Sequence, residues 1–350
     1  MPINIDGSKG IRQNTTETTQ IPVGTTAQRP ASPAAGMIRF NTDNGQVEGY
    51  NDLIDEWQPI NQPFQQLVAT GGTVTNIIQD GLQYRVHTFT SDGTFEVTAG
   101  GGEVEYLVVA GGGAGGNYYS GGGGAGGVIM GSASLSPQTY SIVVGAGGPQ
   151  SSTEDGSAND RLAGGDGDNS SAFGFTAIGG GGGGADQEND AAGRSGGSGG
   201  GGGRFGVGGL GTPVQGNNGG DSIGDGWDQA PGGGGGGAGQ PGFDSDTVNS
   251  QSAKGGDGIS SSITGSSVFY AGGGGGGNTR GDDEGNYEDR NAGLPGLGGG
   301  GRGQNRSRIS TQPNESGTPN TGGGGGASDT RYMPASFGGS GIVIVRYRIG

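Results

Sequence analysis

Histidine and cysteine, the side chains most used for nucleophilic and transition-metal chemistry, are nearly absent from this chain, and no catalytic pair can be chosen among its 33 acidic residues from sequence. His87 is the only histidine, and no cysteine occurs in the 350 residues. Disulfides and thiolate metal sites are therefore excluded, and a lone histidine gives no support to a His-based zinc site or a Ser-His-Asp relay. His87 also falls in YRVHTFT, where Val86, Thr88 and Thr90 alternate with His87 and Phe89. That period of two belongs to a strand, and structural use is the expectation. Matches to G-x-G-x-x-G recur because glycine is abundant, and none opens a helix, so no phosphate cradle follows. The segment GGDGDNSS at 164–171 approaches the calcium-binding pattern G-G-x-G-x-D, but Asn169 stands at the aspartate position and no tandem copy follows. No metal, no cofactor and no enzymatic activity are expected.

What remains is recognition. Between stretches of glycine lie dissimilar loops that carry large side chains: Tyr118 and Tyr119 in NYYS, Phe205 in GRFGVGGLG, Trp227 in GDGWDQAP, Phe243 in QPGFDSDTV, Tyr287 in GNYEDRNAG, and Tyr332 with Phe337 in SDTRYMPASFG. Aromatic and polar loops on an ordered support suit a binding surface, and Tyr118, Tyr119, Phe205, Trp227, Phe243, Tyr287 and Tyr332 are the receptor-contact candidates. The competing use is packing, with aromatics plugging the ends of whatever the glycines build.

The elements that must position these loops are the glycine runs, among them Gly179 to Gly184, Gly199 to Gly203, Gly232 to Gly237, Gly272 to Gly277 and Gly322 to Gly326. With 93 glycines in the chain, such runs have no side chains for a hydrophobic core and cannot sustain an α-helix against their own entropy. Collagen is excluded because GGGGGG beside DQENDAAGRS breaks the three-residue glycine period. The remaining ordered form is polyglycine II, a threefold extended helix rising about 3.1 Å per residue without internal hydrogen bonds. Its N–H and C=O groups all point outward and need neighbours of the same kind. Gly179, Gly182, Gly234, Gly274, Gly275 and Gly324 are the expected interior scaffold positions. Disorder, the usual meaning of this composition, is opposed by the apolar β-type segments VEYLVVA, TYSIVV and GIVIVRY.

A handover recurs along the chain. LVVAGGGAGG at 107–116, FTAIGGGGGG at 175–184 and VFYAGGGGGG at 268–277 each join a short apolar strand to a glycine run. The expected fold is all-β with packed polyglycine II helices and little or no α-helix. Residues 1–35 read as an extended arm. Residues 36–60 read as a small β module, with strands at Met37–Asn41 and Gln46–Tyr50 about an Asp43-Asn44-Gly45 turn, and Trp57 and Ile60 completing a meander. A connector, 61–83, leads to a glycine-rich body, 84–350, in which Asp92-Gly93 is expected to close a hairpin between the strands on either side. The net charge of −16 opposes nucleic-acid or anionic-membrane partners. No apolar stretch approaches 18 residues, and the N-terminal residues lack the pattern of a signal peptide, so neither membrane insertion nor signal-dependent export is expected. The acidic loops read as solubilising.

Two segments carry a family resemblance. GTTAQRPASPAAGMIRFNTDNGQVEGYNDLIDEWQPI resembles a short module of tailed-phage virion proteins, matched here by Gly24, Thr25, Arg29, Pro30, Gly36, Ile38, Arg39, Phe40, Asn41, Gly45, Glu48, Tyr50 and Trp57. From YRVHTFTSDG to GGSGIVIVRYRIG the chain resembles the glycine-rich domain of phage tail and fibre proteins, especially those of marine and cyanobacterial phages. The resemblance implies a virion tail-fibre or adhesin protein, with Arg39, Phe40, Tyr50 and Trp57 in a virion-attachment module. Its implied partners are other tail or fibre proteins, a host-surface glycan or protein, and further copies of the chain, a trimer among the options. A purely structural role as fibre shaft, collar or capsid decoration, or as a self-assembling filament, is the alternative.

Overall fold

The computed structural model describes residues 21–51, 55–60, 66–150, 162–186, 190–224, 231–245, 252–278, 292–304, 314–328 and 336–349, with the backbone of 5–6 and 10–11. The chain divides into two compact units, Met1–Gln65 and Gln66–Gly350. Among the described residues there is no α-helix, only a 3-10 turn at Thr26–Gln28.

In the first unit, β1 (Ile5–Asp6) and β2 (Gly10–Ile11) pair with each other. A separate four-stranded sheet has the order β3-β4-β5-β6, from Val23–Gly24, Ile38–Asn41, Gln46–Asn51 and Glu56–Pro59. The turn falls at Asp43-Asn44-Gly45, where Gly45 takes φ 69°, a conformation glycine adopts without strain. Part of the segment read as an extended arm joins this sheet, because Val23–Gly24 pairs in parallel with Phe40–Asn41.

The second unit opens with a β-sandwich. One sheet runs β15-β14-β13-β10-β7, from Phe175–Ala177, Ser170–Ala172, Thr139–Val143, Gly93–Ala99 and Val68–Thr70. The other runs β12-β11-β18-β9-β8, from Val128–Leu135, Gly102–Val109, Ile342–Arg348, Leu82–Phe89 and Thr73–Gln79. A hairpin of β16 (Ile259–Ser261) and β17 (Val268–Tyr270) forms a two-stranded sheet of its own and packs on the second of these sheets. Alternation sorts the side chains of the second sheet. Val104, Tyr106, Val108, Val343, Val345 and Tyr347 fill the space between the sheets. Leu107, Val109, Ile342 and Ile344 bury the opposite face against Tyr270 and Ile263. Both faces are covered, which is why β11 and β18 read as nearly continuous apolar runs. The hairpin expected at Asp92-Gly93 does not form. β9 pairs with β8 and β18, while β10 lies in the other sheet, because Phe89 and Phe95 both turn into the interior between the sheets.

His87 is buried in that interior. Its Nδ1 lies 2.7 Å from the Gly71 carbonyl, its ring packs edge-on to Phe95, and it stacks on Tyr347.

The strands hand the chain to glycine segments in both directions. β11, β13, β15 and β17 lead into them, and β12, β14, β16 and β18 receive the chain back. The segments are ordered by backbone hydrogen bonds that change partner with every residue and return every third. In the run 121–127, Gly121, Gly124 and Gly127 donate to Gly184, Gly181 and Ile178; Gly122 and Ala125 donate to Gly233 and Gly236; Gly123 and Gly126 donate to Gly325 and Gly322, all at 2.8–3.1 Å. The same run accepts from Gly113 and Gly116, from Ser198 and Gly201, and from Gly274. It is therefore bonded to six runs, 111–116, 179–184, 196–203, 232–237, 272–277 and 322–327, and these bond to one another in a closed ring.

A side chain cannot enter this packing. A Cβ built on Gly179, Gly182, Gly234, Gly274, Gly275 or Gly324 would lie under 3.0 Å from a backbone carbonyl oxygen, a separation real Cβ atoms essentially never show. On Gly93, at the start of β10, it would meet only the Phe89 ring edge, at 3.3 Å. Gly274→Ala is expected to destabilise the second unit by about 4 kcal/mol or more, at the severe end of single substitutions, whereas Gly93→Ala costs about 1 kcal/mol. Thermal unfolding of the two variants compares them directly. A Gly274→Ala variant as stable as Gly93→Ala would show that the runs do not pack this closely.

Burial lowers the His87 pKa below its ordinary 6.5, with the Gly71 hydrogen bond acting in the other direction. The folded state therefore resists a proton that the unfolded chain accepts. Stability is fully present above about pH 6.5 and declines as pH falls toward the lowered folded value, by at most about 1.4 kcal/mol per pH unit. Melting temperatures between pH 7 and 5 check this, and His87→Gln is expected to flatten the slope.

Candidate functional site

The ends of the runs away from the strands come together. Gly121 donates to Gly184, Gly277 to Ser120, Gly232 to Gly277, Asn278 to Gln304, Gln304 to Ala327, Ser328 to Gly116, and Arg204 to Tyr119. A polar residue follows several runs here, as in Gly116-Asn117, Gly203-Arg204, Gly277-Asn278 and Gly303-Gln304, and accepts or donates where the regular bonding stops. Ser120 Oγ lies 2.7 Å from both the Gly116 and the Ser328 carbonyl oxygens, and Ser328 Oγ lies 3.2 Å from Gln304 Oε1.

Tyr118 and Tyr119 make a short reversal at this end, both in the left-handed region at φ 63° and 50°, and Arg204-Phe205 make another, with Phe205 at φ 55° and the Gly206 N–H donating to the Gly203 carbonyl. Their rings meet edge to face with centroids 4.3 Å apart, and both are buried. The Arg204 guanidinium lies 4.9 Å from the Tyr119 ring centroid and 5.3 Å from that of Phe205, and pairs with Asp186 at 3.0 Å. Both charged groups of that pair are buried, so the pair holds a fixed geometry. The two tyrosines thus act as plugs of the glycine block, while Phe205, 53% exposed, faces solvent beside them. Phe243 is exposed along the side of the block, near Lys254. Trp227, Tyr287 and Tyr332 lie outside the described residues. The residues bordering 151–161, 187–189, 225–230, 246–251, 279–291, 305–313 and 329–335 all stand at this same end.

Arg204, Asp186, Gln304 and Ser328 escaped the sequence reading. The signal was present: each closes a glycine stretch or precedes a dissimilar loop. Among the described residues no group of three or more His, Cys, Asp or Glu side chains is placed to hold a metal ion. In the calcium-like segment, Asp166 pairs with Arg194 at 2.7 Å and Asn169 Oδ1 accepts from the Gly179 N–H at 2.8 Å. Of the described groups gathered at this end, Tyr118, Tyr119, Arg204 and Asp186 are buried and hold the end of the block together, while Phe205 presents its ring to solvent.

A glycine-rich domain family matches residues 88–348, from inside β9 to the end of β18. The chain belongs to that family. The match takes in the whole glycine block and most of the sandwich and leaves out the first unit. No curated protein matches the chain.

The first unit contains the other candidate residues. Arg39 is buried; it donates to the Thr25 carbonyl at 2.9 Å, approaches Glu48 at 3.6 Å and lies over Trp57 at 5.8 Å. Glu48, also buried, receives two hydrogen bonds from Arg29, at 3.1 and 2.7 Å, and one from Asn41 at 3.0 Å. Tyr50 packs on Trp57 with ring centroids 5.7 Å apart. The spacing of Gly24, Thr25, Arg29, Arg39, Asn41 and Glu48 therefore encodes one polar network, and a Cβ on Gly24 would lie 2.7 Å from Arg39 Nη2. The opposite face of the sheet carries Val23, Ile38, Ile60 and half-buried Phe40 and Val47, with the first three about half exposed.

Arg29 hydrogen bonds hold the Glu48 carboxyl below its ordinary 4.5, against the opposing effect of burial. This stabilisation is fully present above about pH 4.5 and is lost as pH falls through the lowered value. Glu48→Ala leaves the buried Arg39 without its carboxylate and is expected to cost the first unit about 3 kcal/mol. Trp57 emission in a Trp227→Phe background reports on that unit. An unchanged unfolding profile in Glu48→Ala would remove the network as its organising element.

Proposed function

We propose that this chain is a structural protein of a tailed-phage particle, a tail fibre or receptor-binding adhesin, in which polyglycine II helices form a rigid frame presenting loops to a host-surface glycan or protein. The observation that carries the reading is the one-ended topology of the block. Strands or tight turns join the runs at one end, and every dissimilar loop departs from the other. The three-residue recurrence of hydrogen-bond donors supports the polyglycine II geometry, since a threefold extended helix repeats its faces with that period. A fixed frame limits the ordering entropy that loops lose on binding. The function is binding, without a cofactor and without turnover. The net charge of −16 favours neutral or basic surface groups over nucleic acid.

The first unit is the attachment module in this reading. Its open apolar face, with Val23, Ile38 and Ile60, suits burial against other tail proteins or further copies of the chain. One observation favours a purely structural virion role. Val207 and Leu210, and Leu294 and Leu297, project from the sides of the block and are more than half exposed, as lateral packing between neighbours would require.

Replacing 225–230 and 279–291 with Gly-Ser linkers of equal length removes Trp227 and Tyr287 and leaves the described hydrogen bonds in place. The folded variant is expected to compete for phage adsorption to host cells about 30-fold less well than the parent, the loss from one hot-spot aromatic worth about 2 kcal/mol. Undiminished competition by a variant with unchanged circular dichroism would favour the structural role.

A further inference from the structure

Around the ring of six runs lies a second layer. Among the described residues it consists of 164–168, 190–194, 206–210, 217–222, 242–245, 253–258, 293–297, 300–304, 315–318, 336–341 and 145–149. Successive members bond to each other: Gly193 to Val207, Gly219 to Gly209, Gly242 to Asn218, Phe243 to Lys254, Gly255 to Leu294, Gly303 to Gly293, Glu315 to Arg302, Gly317 to Phe337, Gly338 to Gly148 and Gly165 to Pro149. A hexagonal second layer has twelve positions, and among the described residues eleven segments fill it. The gap falls between 164–168 and 190–194, outside the run 179–184. There the Arg194–Asp166 ion pair, rather than main chain, spans the two flanks.

The polarity of the missing segment can be read from its counterparts. Six positions of the second layer touch a single inner run each, and the five filled ones alternate. Gly148, Gly209 and Gly293 with Gly296 donate inward, to Gly112, Gly200 and Gly276 with Gly273. Phe243 and Glu315 accept outward bonds, from Gly234 and Gly326. By that alternation the vacant sixth position takes an acceptor. Gly179 and Gly182 of the inner run point N–H groups into it, and these are met by Asn169 Oδ1 at 2.8 Å and Asp166 Oδ1 at 2.9 Å. The two side-chain oxygens come from residues three apart and serve N–H groups three apart. They stand where the carbonyl oxygens of an extended glycine run, about 9 Å from one to the next equivalent, would stand.

We propose that this position is a latent self-association site. It takes one extended glycine-rich segment from the edge of a second copy of this chain, and Asp166, Asn169 and Arg194 keep it closed in the single chain. The inference rests on the threefold-run reading of the block. The occupant is defined by the five equivalent positions, each filled by an extended segment with at least one glycine. The latch is a surface pair, with Arg194 53% and Asp166 39% exposed, so it occupies the position without locking it. Ending a hydrogen-bonded lattice with side chains is the counterpart of protecting the edge strand of a sheet.

The test is the solution mass of the full chain by light scattering across a dilution series. Asp166→Ala combined with Asn169→Ala is expected to raise the mass, with increasing concentration, to twice that of the wild type. Asp257→Ala removes a cap on the Leu297 N–H at a filled part of the layer and is expected to leave the mass unchanged. A folded double variant that keeps the wild-type mass at every concentration overturns the proposal, as does an equal rise in Asp257→Ala. Should the double variant lose its fold, Arg194→Ala opens the flank with both caps in place. A mass above wild type in that variant supports the site, and an unchanged mass overturns it. Failure of the threefold-run reading shows separately, in a stable Gly274→Ala.

Discussion

Backbone N–H and C=O groups must find partners wherever they are buried, and in this protein that requirement organises most of the second unit. A glycine run removed from water has no side chain with which to satisfy its own peptides. Each of its residues must point at a different neighbour, and the neighbours must approach closely enough to bond. Both conditions hold only where no Cβ intervenes. The run 121–127 meets them with six surrounding runs, and the exclusion of a Cβ at Gly274 or Gly324 is the same fact seen from the side chain's position. The sandwich contributes apolar burial, while the block contributes order through main-chain bonds alone.

Such a lattice has no natural limit, so its perimeter has to be closed by something other than glycine. Asp166, Asn169, Asn218, Asp221, Asp244 and Asp257 each place a side-chain oxygen on a main-chain N–H of an adjacent outer segment or inner run. These four aspartates therefore have a directional task besides solubility. They satisfy outward donors and confer like charge on the sides of the block. The two roles agree, since both act against growth of the lattice between chains.

The division of labour between units follows the same physics. The first unit buries Arg39, Asn41 and Glu48 against one face of a small sheet, with half-buried Arg29 over them, and leaves the other face apolar. The second encloses its apolar side chains in a sandwich and devotes the rest of its length to the frame. The last strand, Ile342–Arg348, lies in the middle of its sheet between β11 and β9. The sheet is thus complete only after the chain has passed through every glycine run, which ties frame and sandwich into one structure.

Much of this was legible in the residues themselves. Alternation marked the strand around His87, an apolar β-type run marked Val104 to Val109, the Asp43-Asn44-Gly45 turn was marked by its residues, and unbroken glycine excluded helix. The strand-to-glycine handovers were visible at 107–116, 175–184 and 268–277. The neighbours of each run were not legible, because main-chain bonds carry no residue signature and any glycine segment could face any other. For that reason the burial of Tyr118 and Tyr119, the gathering of loop ends at one end, and the placement of Asp166 and Asn169 on Gly182 and Gly179 emerged only from tertiary structure. So did the assignment of β9 and β10 to opposite sheets, since adjacent strands joined by a turn have the same local pattern whether they pair or face each other. Composition and periodicity determined that this chain builds strands and side-chain-free extended segments. Packing decided which segment lies beside which, because with glycine the partner is chosen by geometry after the chain has come together.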